Sequence, residues 1–259
     1  MSPNIRNKRT DPTSLSQGEF GAVGLGRILD LLDGHGVKAT FFTPGFSVDT
    51  FSDLVKEIHM KGHEIGHHGY MHEMPSELNL REEIAVLRKG NRAIKNITGV
   101  NPKGYRAPAW SPSKNTMDLI IREGFLYDSS LMAHDYLPYS VRTGDRVSSS
   151  GPMRFGKDSK LIELPVSWSL DDYPHFEVSQ FSSGLKAASS VLENWKSDFD
   201  YMYEHVPGGL FSICFHPQVS GRGHRMVVMV KLLSHILDKQ DVWFSRMADV
   251  AQACTRKSV

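Results

Sequence analysis

The sequence predicts an α/β fold, and three observations support that prediction. Short apolar runs alternate with amphipathic stretches about six or seven times along the chain, as expected when strands and helices alternate around a parallel sheet. No glycine-rich phosphate loop follows a predicted strand, which favours a barrel over an open nucleotide-binding sheet. The polar residues suited to chemistry fall at the ends of predicted strands, where α/β barrels place their active sites.

Periodicity and capping signals place the individual elements. Phe51, Val55 and Ile58 recur near a 3.6-residue period, which predicts a helix, and Asn79 with Glu82 indicates a capped helix start. The predicted strands are residues 38–42, 64–68, 104–108, 125–129, 161–166, 210–215 and 242–244, and the predicted helices are residues 26–32, 47–61, a segment from residue 80, 116–123, 185–205 and 226–239.

Composition excludes several classes of function. The chain has 259 residues and a net charge of +1, from 30 basic and 29 acidic residues, so no nucleic-acid or membrane partner is expected. No apolar run of transmembrane length occurs. The first ten residues lack the apolar segment of a secretory signal, which leaves the compartment open. We expect an irregular or disordered segment at residues 1–14, one catalytic domain at residues 15–259, and unbridged thiols at Cys214 and Cys254.

A dense histidine cluster is the strongest chemical signal. Four histidines lie within the ten residues from His63 to His72. His68 and His72 are spaced i, i+4, so two imidazoles at the end of a strand can converge on one cation. Neutral imidazole suits zinc, cobalt or nickel. His63 and His67 precede the turn and are predicted to be structural.

Several short motifs occur in the order in which one known family carries them. They are residues 38–42, residues 62–67, the His68-x-x-x-His72 pair, residues 105–110, residues 163–168 with Asp171-Asp172, and residues 215–217 with Gly221-Arg222. Together they span about residues 15 to 250, and the series resembles the polysaccharide deacetylase (NodB-homology, carbohydrate esterase 4) family. The downstream motifs look like the branch that contains peptidoglycan-deacetylase-like proteins, cofactor-free allantoinases and cyclic imidases.

The resemblance implies a distorted (β/α) barrel of the NodB-homology type and hydrolysis of an amide or imide carbon–nitrogen bond. It implies that His68 and His72 bind a divalent metal, zinc or another ion such as cobalt. Arg106 would orient the catalytic carboxylate, and His216 would protonate the leaving amine. Aspartates next to each other are also a common turn signal, and tryptophans are equally suited to a core. With those alternatives open, the other candidates are Asp171 and Asp172 for catalysis and Pro108, Trp110 and Trp168 for substrate binding.

The N-terminal motif of the family is not found in this sequence. Members of the family begin with a strand that ends in paired aspartates, of which one activates water and the other is the third metal ligand. Only 14 residues precede the family-like segment that begins at Leu15, and they contain no Asp-x-Asp. Either the first strand is absent from this chain, or the metal is held weakly by two histidines or not at all. We therefore expect reduced or absent activity unless another carboxylate completes the site, because catalytic zinc sites usually have three protein ligands.

Three functions remain in competition at this point. The first is a metal-dependent hydrolase that removes N-acetyl groups from N-acetylglucosamine units of chitin oligomers or peptidoglycan. The second is an amidohydrolase of a cyclic imide or allantoin. The third is a non-catalytic carbohydrate-binding protein on an inactive deacetylase scaffold. The expected partner is a carbohydrate or a small amide, and the resemblance suggests a homo-oligomer.

Overall fold

The fold is α/β, as predicted. The structure is a computed structural model that describes residues 11–178 and 185–257. Its described residues divide into two compact units. The helical unit draws on residues 11–39, 135–137, 166–178 and 185–245, and the sheet unit on residues 40–134, 138–165 and 246–257. The assignment of residues 15–259 to one catalytic domain stays a prediction.

The strands lie in the sheet unit. They are β1 (Thr40–Thr43), β2 (Glu64–His67), β3 (Gly104–Tyr105), β4 (Tyr127–Asp128), β5 (Tyr139–Thr143), β6 (Arg146–Ser148), β7 (Gly151–Arg154) and β8 (Lys157–Glu163). Six of them form one sheet in the order β1-β2-β3-β4-β8-β5. The pairs from β1 to β8 are parallel, and β5 lies antiparallel to β8. An exposed antiparallel ribbon joins β6 to β7. The sequence did not predict β5, β6 or β7.

The helices alternate with the strands in the sheet unit and dominate the helical unit. They are α1 (Pro12–Gly34), α2 (Gly45–Thr50), α3 (Ser52–Met60), α4 (Leu80–Thr98), α5 (Thr116–Arg122), α6 (Asp172–Phe176), α7 (Ala188–His205), α8 (Pro217–Ser220), α9 (Gly223–Leu237) and α10 (Met247–Lys257). Among the described residues, none of these helices combines the length and the apolar composition needed to cross a membrane.

Local signals explain where the main helices begin and end. The predicted capping box at α4 is confirmed, since the Asn79 side chain accepts from the backbone of Glu82 and the Glu82 carboxylate accepts from Asn79 N at 2.9 Å. Gly99 ends α4 in the left-handed region with a φ of 78°, which glycine adopts without strain.

The helix α1 begins earlier than the sequence analysis expected. Asp11 Oδ1 accepts a hydrogen bond from Ser14 N at 3.0 Å, and Pro12 occupies the first turn, where a missing N–H is tolerated. Residues 12–14, expected to be irregular, are therefore helical. The first ten residues of that predicted segment lie outside the described residues.

Two strands predicted near the C-terminus are wrong. Within residues 210–215, Cys214 alone makes a bridge, which is parallel to Asp171. Leu210 N donates instead to Tyr136 O, so the backbone groups of this segment do not continue into a ladder. Residues 242–244 are irregular. Their apolar side chains Val242 and Phe244 pack against the core of the helical unit, which accounts for the strand-like composition.

Each unit has its own hydrophobic core. In the sheet unit, side chains from the helices pack on the face of β3 and β8. The buried members of that cluster are Leu87, Tyr105, Ala107, Leu119, Ile120, Phe125, Val141 and Leu161. In the helical unit, the buried members include Phe176, Trp195, Phe199, Val228 and Leu232.

The helix α10 closes the sheet unit from the far end of the chain. Its first turn donates two backbone hydrogen bonds of 2.9 Å, from Met247 N to Thr40 Oγ1 and from Ala248 N to Glu64 Oε2. Burial raises the pKa of Glu64, although the hydrogen bonds that its carboxylate accepts from Ala248 N and Thr40 Oγ1 act against that shift. The carboxylate thus lies at a helix N-terminus, where the helix dipole favours a negative charge.

Candidate functional site

The strand β2 ends in a histidine that is structural, as predicted. His67 is fully buried, its Nε2 lies 3.0 Å from Leu87 O, and its Nδ1 accepts from Gly69 N at 3.2 Å. Burial lowers the pKa of His67 to about 4, so the ring is neutral near pH 7. His63 is also buried and packs edge-on against Phe41, with ring centroids 5.3 Å apart.

The next histidine has the arrangement of a metal ligand. His68 Nδ1 lies 2.7 Å from Arg106 O. Because a carbonyl can only accept, Nδ1 carries the proton, and Nε2 presents its lone pair. Burial lowers the pKa of His68 well below its usual value, and the neighbouring His72 contributes in the same direction. Ligating histidines commonly donate from their other ring nitrogen in this way.

The loop after β2 brings His72 back to His68. The two ring centroids are 4.8 Å apart and the planes are nearly perpendicular. His72 adopts a φ of 62°, a strained conformation for a residue with a side chain, and such strain clusters at functional sites. Glu73, which the sequence analysis did not single out, holds the loop by accepting from Tyr70 N at 3.0 Å and Met71 N at 2.7 Å.

The histidine pair fits a divalent metal in kind but supplies two ligands. Two neutral imidazoles suit zinc or cobalt, whereas catalytic zinc sites usually have three protein ligands. Among residues 11–178 and 185–257, the groups of three or more potential ligand side chains within reach of one another do not include His68 or His72. No third ligand for this pair is identified among those residues, and the absence of one stays a prediction.

Arg106 lies beneath this loop. It is 6% exposed, its Nε donates to Ser129 O at 2.9 Å, and its Nη2 donates to Ser129 Oγ at 2.7 Å. The guanidinium also lies 4.4 Å from the ring centroid of Phe42 and 6.0 Å from that of Trp110. A rigid cation is thus placed beside the histidine pair. Its predicted role of orienting a catalytic carboxylate stays a prediction.

The segment after Arg106 has a strained backbone. Ala109 and Trp110 have φ values of 52° and 47°, which hold the Trp110 ring half-buried near Arg106. Pro108 is buried and lies close to Gly69, where an added Cβ would meet its Cγ at 3.1 Å. The geometry gives Pro108 a packing role in the histidine loop, and the substrate-binding roles of Pro108 and Trp110 stay predictions.

Two carboxyl groups lie side by side on neighbouring strands of the sheet unit. Their pairing was not predicted from the sequence. Asp128 and Glu163 are register partners on β4 and β8, and neither is exposed. Glu163 Oε1 accepts from Ser130 N and Leu131 N, both at 2.9 Å. Burial raises the pKa of both carboxyls, and the charge of Asp128 raises that of Glu163 further.

A shared proton is inferred for this carboxyl pair, because the side chains of Asp128 and Glu163 interact as hydrogen-bond partners. Two carboxyls make such a contact only when they share a proton. Asp128 Oδ1 also accepts a hydrogen bond from Ser130 Oγ at 2.9 Å, and Ser130 Oγ accepts one from Ala107 N at 2.8 Å. The pair therefore anchors the backbone next to Arg106.

In the helical unit, a buried aspartate holds His216. Asp172 Oδ1 lies 2.7 Å from His216 Nδ1, and Asp172 Oδ2 accepts from His216 N at 2.9 Å. Ser220 Oγ donates to the same Oδ2 at 2.5 Å. Asp172 is fully buried, whereas the His216 side chain is 25% exposed. The imidazole is thus fixed with Nδ1 towards the carboxylate and Nε2 available for chemistry.

The charges around His216 favour its protonated form. Burial alone would lower the pKa of His216, but the charges of Asp171 and Asp172 and the hydrogen bond to Asp172 outweigh burial and raise it. Asp171 Oδ1 lies 3.6 Å from His216 Nδ1 and accepts from Tyr173 N at 2.7 Å. A histidine poised in this way can donate a proton near neutral pH.

Trp168 shares the loop that leads to these aspartates. It begins a short 3-10 turn, Trp168–Leu170, and its side chain is 46% exposed. Exposure of an aromatic ring is compatible with stacking on a sugar, and its role in substrate binding stays a prediction. Cys214 lies across the parallel bridge from Asp171, and the sequence analysis gave it no chemical role.

Comparisons with known proteins decide the family. Residues 23–127 match the polysaccharide deacetylase family model. A peptidoglycan deacetylase of Helicobacter pylori is 37% identical over 255 residues, which is 92% of this chain and 87% of that protein. The chain belongs to the polysaccharide deacetylase family. A peptidoglycan deacetylase-like protein of Gibberella zeae is 31% identical over 241 residues, covering 85% of this chain and 71% of that protein.

Solved structures of polysaccharide deacetylases share the fold. One described as a putative polysaccharide deacetylase from Mycobacterium smegmatis superposes with a TM-score of 0.85 and 32% identity, covering 100% of this chain and 85% of that chain. An allantoinase superposes with a TM-score of 0.79 and 23% identity over 93% of this chain and 76% of that chain, a likeness that concerns the fold alone. The family resemblance predicted from the ordered motifs is confirmed.

The structure gathers the predicted site residues into two groups. In the sheet unit, His68, His72 and Arg106 are neighbours. In the helical unit, Asp172 and Asp171 flank His216. Residue types and motif order predicted these groups, whereas the supporting carboxylates of the sheet unit depend on strand register and loop conformation.

Proposed function

We propose that this chain is a metal-dependent hydrolase that removes N-acetyl groups from N-acetylglucosamine-containing carbohydrate, either chitin oligomers or peptidoglycan. The observation that carries the proposal is the His216–Asp172 pair, with its 2.7 Å contact and raised histidine pKa. The two relatives named for peptidoglycan deacetylation support the substrate class.

The proposed reaction converts an acetamide and water into an amine and acetate. Water adds to the acetyl carbonyl, the carbon–nitrogen bond then breaks, and the nitrogen leaves with a proton. His216 donates that proton from Nε2, because Nδ1 is held by Asp172. Asp171 adds a second negative charge that favours the protonated imidazole.

In this proposal His68 and His72 hold a divalent ion, zinc or cobalt. When bound, such an ion polarises a carbonyl oxygen and lowers the pKa of bound water. The chain positions the two imidazoles through the carbonyl of Arg106 and the strained loop at His72. Because two imidazoles alone bind weakly, we expect the ion to exchange readily and activity to depend on metal added to the buffer.

The decisive experiment is acetate release from chitin oligomers and from peptidoglycan fragments, with and without added zinc or cobalt. We expect release that needs metal and that is lost in His72→Ala. The His216→Ala variant should lower kcat by about 10²- to 10⁴-fold. His205→Ala, at an exposed position in α7, is the matched control and should behave like the wild type.

Other outcomes of the same panel would reject the proposal. Ring opening of succinimide or allantoin without acetate release would identify a cyclic amidohydrolase. Metal bound at one tight equivalent per chain, measured by inductively coupled plasma spectrometry, would contradict weak binding. The predicted homo-oligomer is tested in parallel by light scattering.

A non-catalytic carbohydrate-binding function is the second candidate. One observation favours it, namely that His68 and His72 lack a third ligand side chain within reach among the described residues. Under that alternative, no substrate would be turned over at any metal concentration. Binding of chitin oligomers would persist, and it would weaken in Trp168→Ala, because the exposed indole is suited to stacking on sugars.

A further inference from the structure

The loop that carries His216 brings a thiol and a carboxylate to the same face. Asp171 and Cys214 are paired in a parallel bridge, supported by hydrogen bonds from Cys214 N to Leu170 O at 2.8 Å and from Asp172 N to Cys214 O at 3.2 Å. Paired residues of neighbouring extended segments point to one side, and so do residues two apart along a segment. The side chain of His216, two residues after Cys214, therefore points to the same side as those of Cys214 and Asp171.

The three ligand atoms are close enough for one ion. A carboxylate oxygen of Asp171, the Cys214 sulfur and a ring nitrogen of His216 all lie within 4.8 Å of one another. In a tetrahedral zinc centre with bonds of about 2.0–2.3 Å, ligand atoms lie about 3.3–3.8 Å apart.

The surroundings of the cluster match those of a metal centre. Asp171 is 3% exposed, and Cys214 and His216 are half-buried, so an ion can enter from solvent. Asp172 contacts His216 Nδ1 at 2.7 Å, so coordination through Nε2 would reproduce the carboxylate–histidine–metal order of many zinc sites. One thiolate, one imidazole and one carboxylate form a donor set suited to zinc or cadmium.

We propose that Asp171, Cys214 and His216 form a second metal site, with ligands other than His68 and His72, for zinc or a softer divalent ion such as cadmium. Coordination uses the imidazole nitrogen that donates the proton in the reaction, so both the Nε2 proton of His216 and the thiol proton of Cys214 go to solvent. Occupancy therefore inhibits the enzyme. The inhibitory effect rests on the proposed function, whereas metal binding by these residues does not.

Cobalt is the probe that reports the thiolate directly. Titration of the full chain with cobalt should produce a near-ultraviolet thiolate-to-cobalt absorption band, which imidazole and carboxylate ligands do not give. The band should be lost in Cys214→Ser and retained in His72→Ala. Cys254→Ser, which removes the second cysteine of the chain, is the matched control and should keep the band.

A second variant keeps the proposal testable if Cys214→Ser does not fold. Asp172→Asn leaves all three ligands in place but weakens the contact that orients His216, so cobalt affinity should fall by about 10- to 100-fold. The circular dichroism spectra of all variants are compared first. A wild-type titration without the band, or a band that survives in Cys214→Ser, would overturn the proposal.

Activity gives an independent readout of the inhibitory effect. Acetate release should first rise and then fall as zinc is added, and Cys214→Ser should keep the rise and lose the fall. A fall that persists in Cys214→Ser would overturn inhibition through this cluster. If no acetate is released at all, the proposed function fails, while the cobalt band still decides whether the metal site exists.

Discussion

At the scale of single residues, the chemistry depends on contacts that fix ring nitrogens. His68 donates from Nδ1 to a carbonyl, and His216 is held at Nδ1 by a carboxylate. The first arrangement keeps a histidine neutral for a metal, and the second favours a charged histidine for proton transfer. Under the proposed function, the same residue type would therefore serve two roles because its partners differ.

The pKa of His216 should depend on Asp172. In Asp172→Asn, the loss of a negative charge at 2.7 Å removes one of the interactions that raise this pKa, so it should fall. Nuclear magnetic resonance titration of the imidazole measures the change. The matched control is Asp200→Asn, because Asp200 contacts His235 at 2.8 Å and should leave His216 unchanged. An unaltered His216 pKa in Asp172→Asn would contradict the geometry.

The sequence predicted the metal and proton-donor candidates at this scale, but not their supporting residues. His68, His72 and His216 have residue types and motif positions that point to their roles. Glu73 supports the loop through backbone amides at positions 70 and 71, which depends on the conformation of that loop. The pairing of Cys214 with Asp171 spans two segments far apart in sequence, so no local pattern indicates it.

At the scale of elements, the short helix α8 after His216 is positioned by close packing against α1. An added Cβ at Gly24 would lie 2.1 Å from Pro217 O, and one at Gly221 would lie 2.3 Å from the Cα of Gly24. Arg27 Nη1 also donates to Gly221 O at 2.8 Å. The two backbones meet where only glycine fits, which fixes the segment that starts at His216.

Two alanine substitutions in α1 should have opposite effects. Gly24→Ala pushes against a backbone oxygen and should destabilise the protein by about 1–3 kcal/mol. Gly26→Ala, two residues along the same helix, has open space around its Cβ and should stabilise by about 0.5–1 kcal/mol, because alanine is the better helix former. Urea unfolding measures both. Equal effects of the two substitutions would show that α1 and α8 are not packed this closely.

The elements differ in how readily the sequence predicts them. The amphipathic helix α4 was recognised because period and caps agree. The segment at residues 210–215 has the composition of a strand, but its backbone bonds to Tyr136 and Leu170 instead of a strand. The ribbon of β6 and β7 is exposed and therefore lacks the apolar alternation that predicts a strand.

At the scale of the whole molecule, the proton shared by Asp128 and Glu163 links stability to pH. Both carboxyl pKa values are raised in the folded chain, so the folded state holds a proton that the unfolded state releases above about pH 4. The pair therefore increases the free energy of unfolding at low pH. That contribution is lost as pH rises through the pKa values of the folded state.

The variant Glu163→Gln should reduce this dependence. Its carboxamide can donate to Asp128 and accept from the amides of Ser130 and Leu131 without titrating. Between pH 5 and 8, the free energy of unfolding should fall less in this variant than in the wild type. The difference between the two falls should be at least about 1 kcal/mol. Urea unfolding at several pH values measures it, with Glu193→Gln on the exposed side of α7 as control. A profile as steep as that of the wild type would contradict the shared proton.

The α/β class and the family follow from the alternation and the order of motifs, since both are properties of the sequence itself. The pairing of β4 with β8, across the insertion that holds β5, β6 and β7, is a matter of register between distant segments. The carboxyl pair depends on that register, so it became visible only in the structure.

The position of α10 bears on the order in which the protein folds during synthesis. Met247 N bonds to Thr40 Oγ1 across 207 residues of sequence, and Ala248 N bonds to Glu64 across 184. Contacts of such long range form late and slow folding. The ribosome therefore delivers β1 and β2 long before the helix that completes their hydrogen bonds. Until then, the buried carboxyl of Glu64 lacks its backbone donor, and the nascent sheet is most exposed to chaperones and to aggregation.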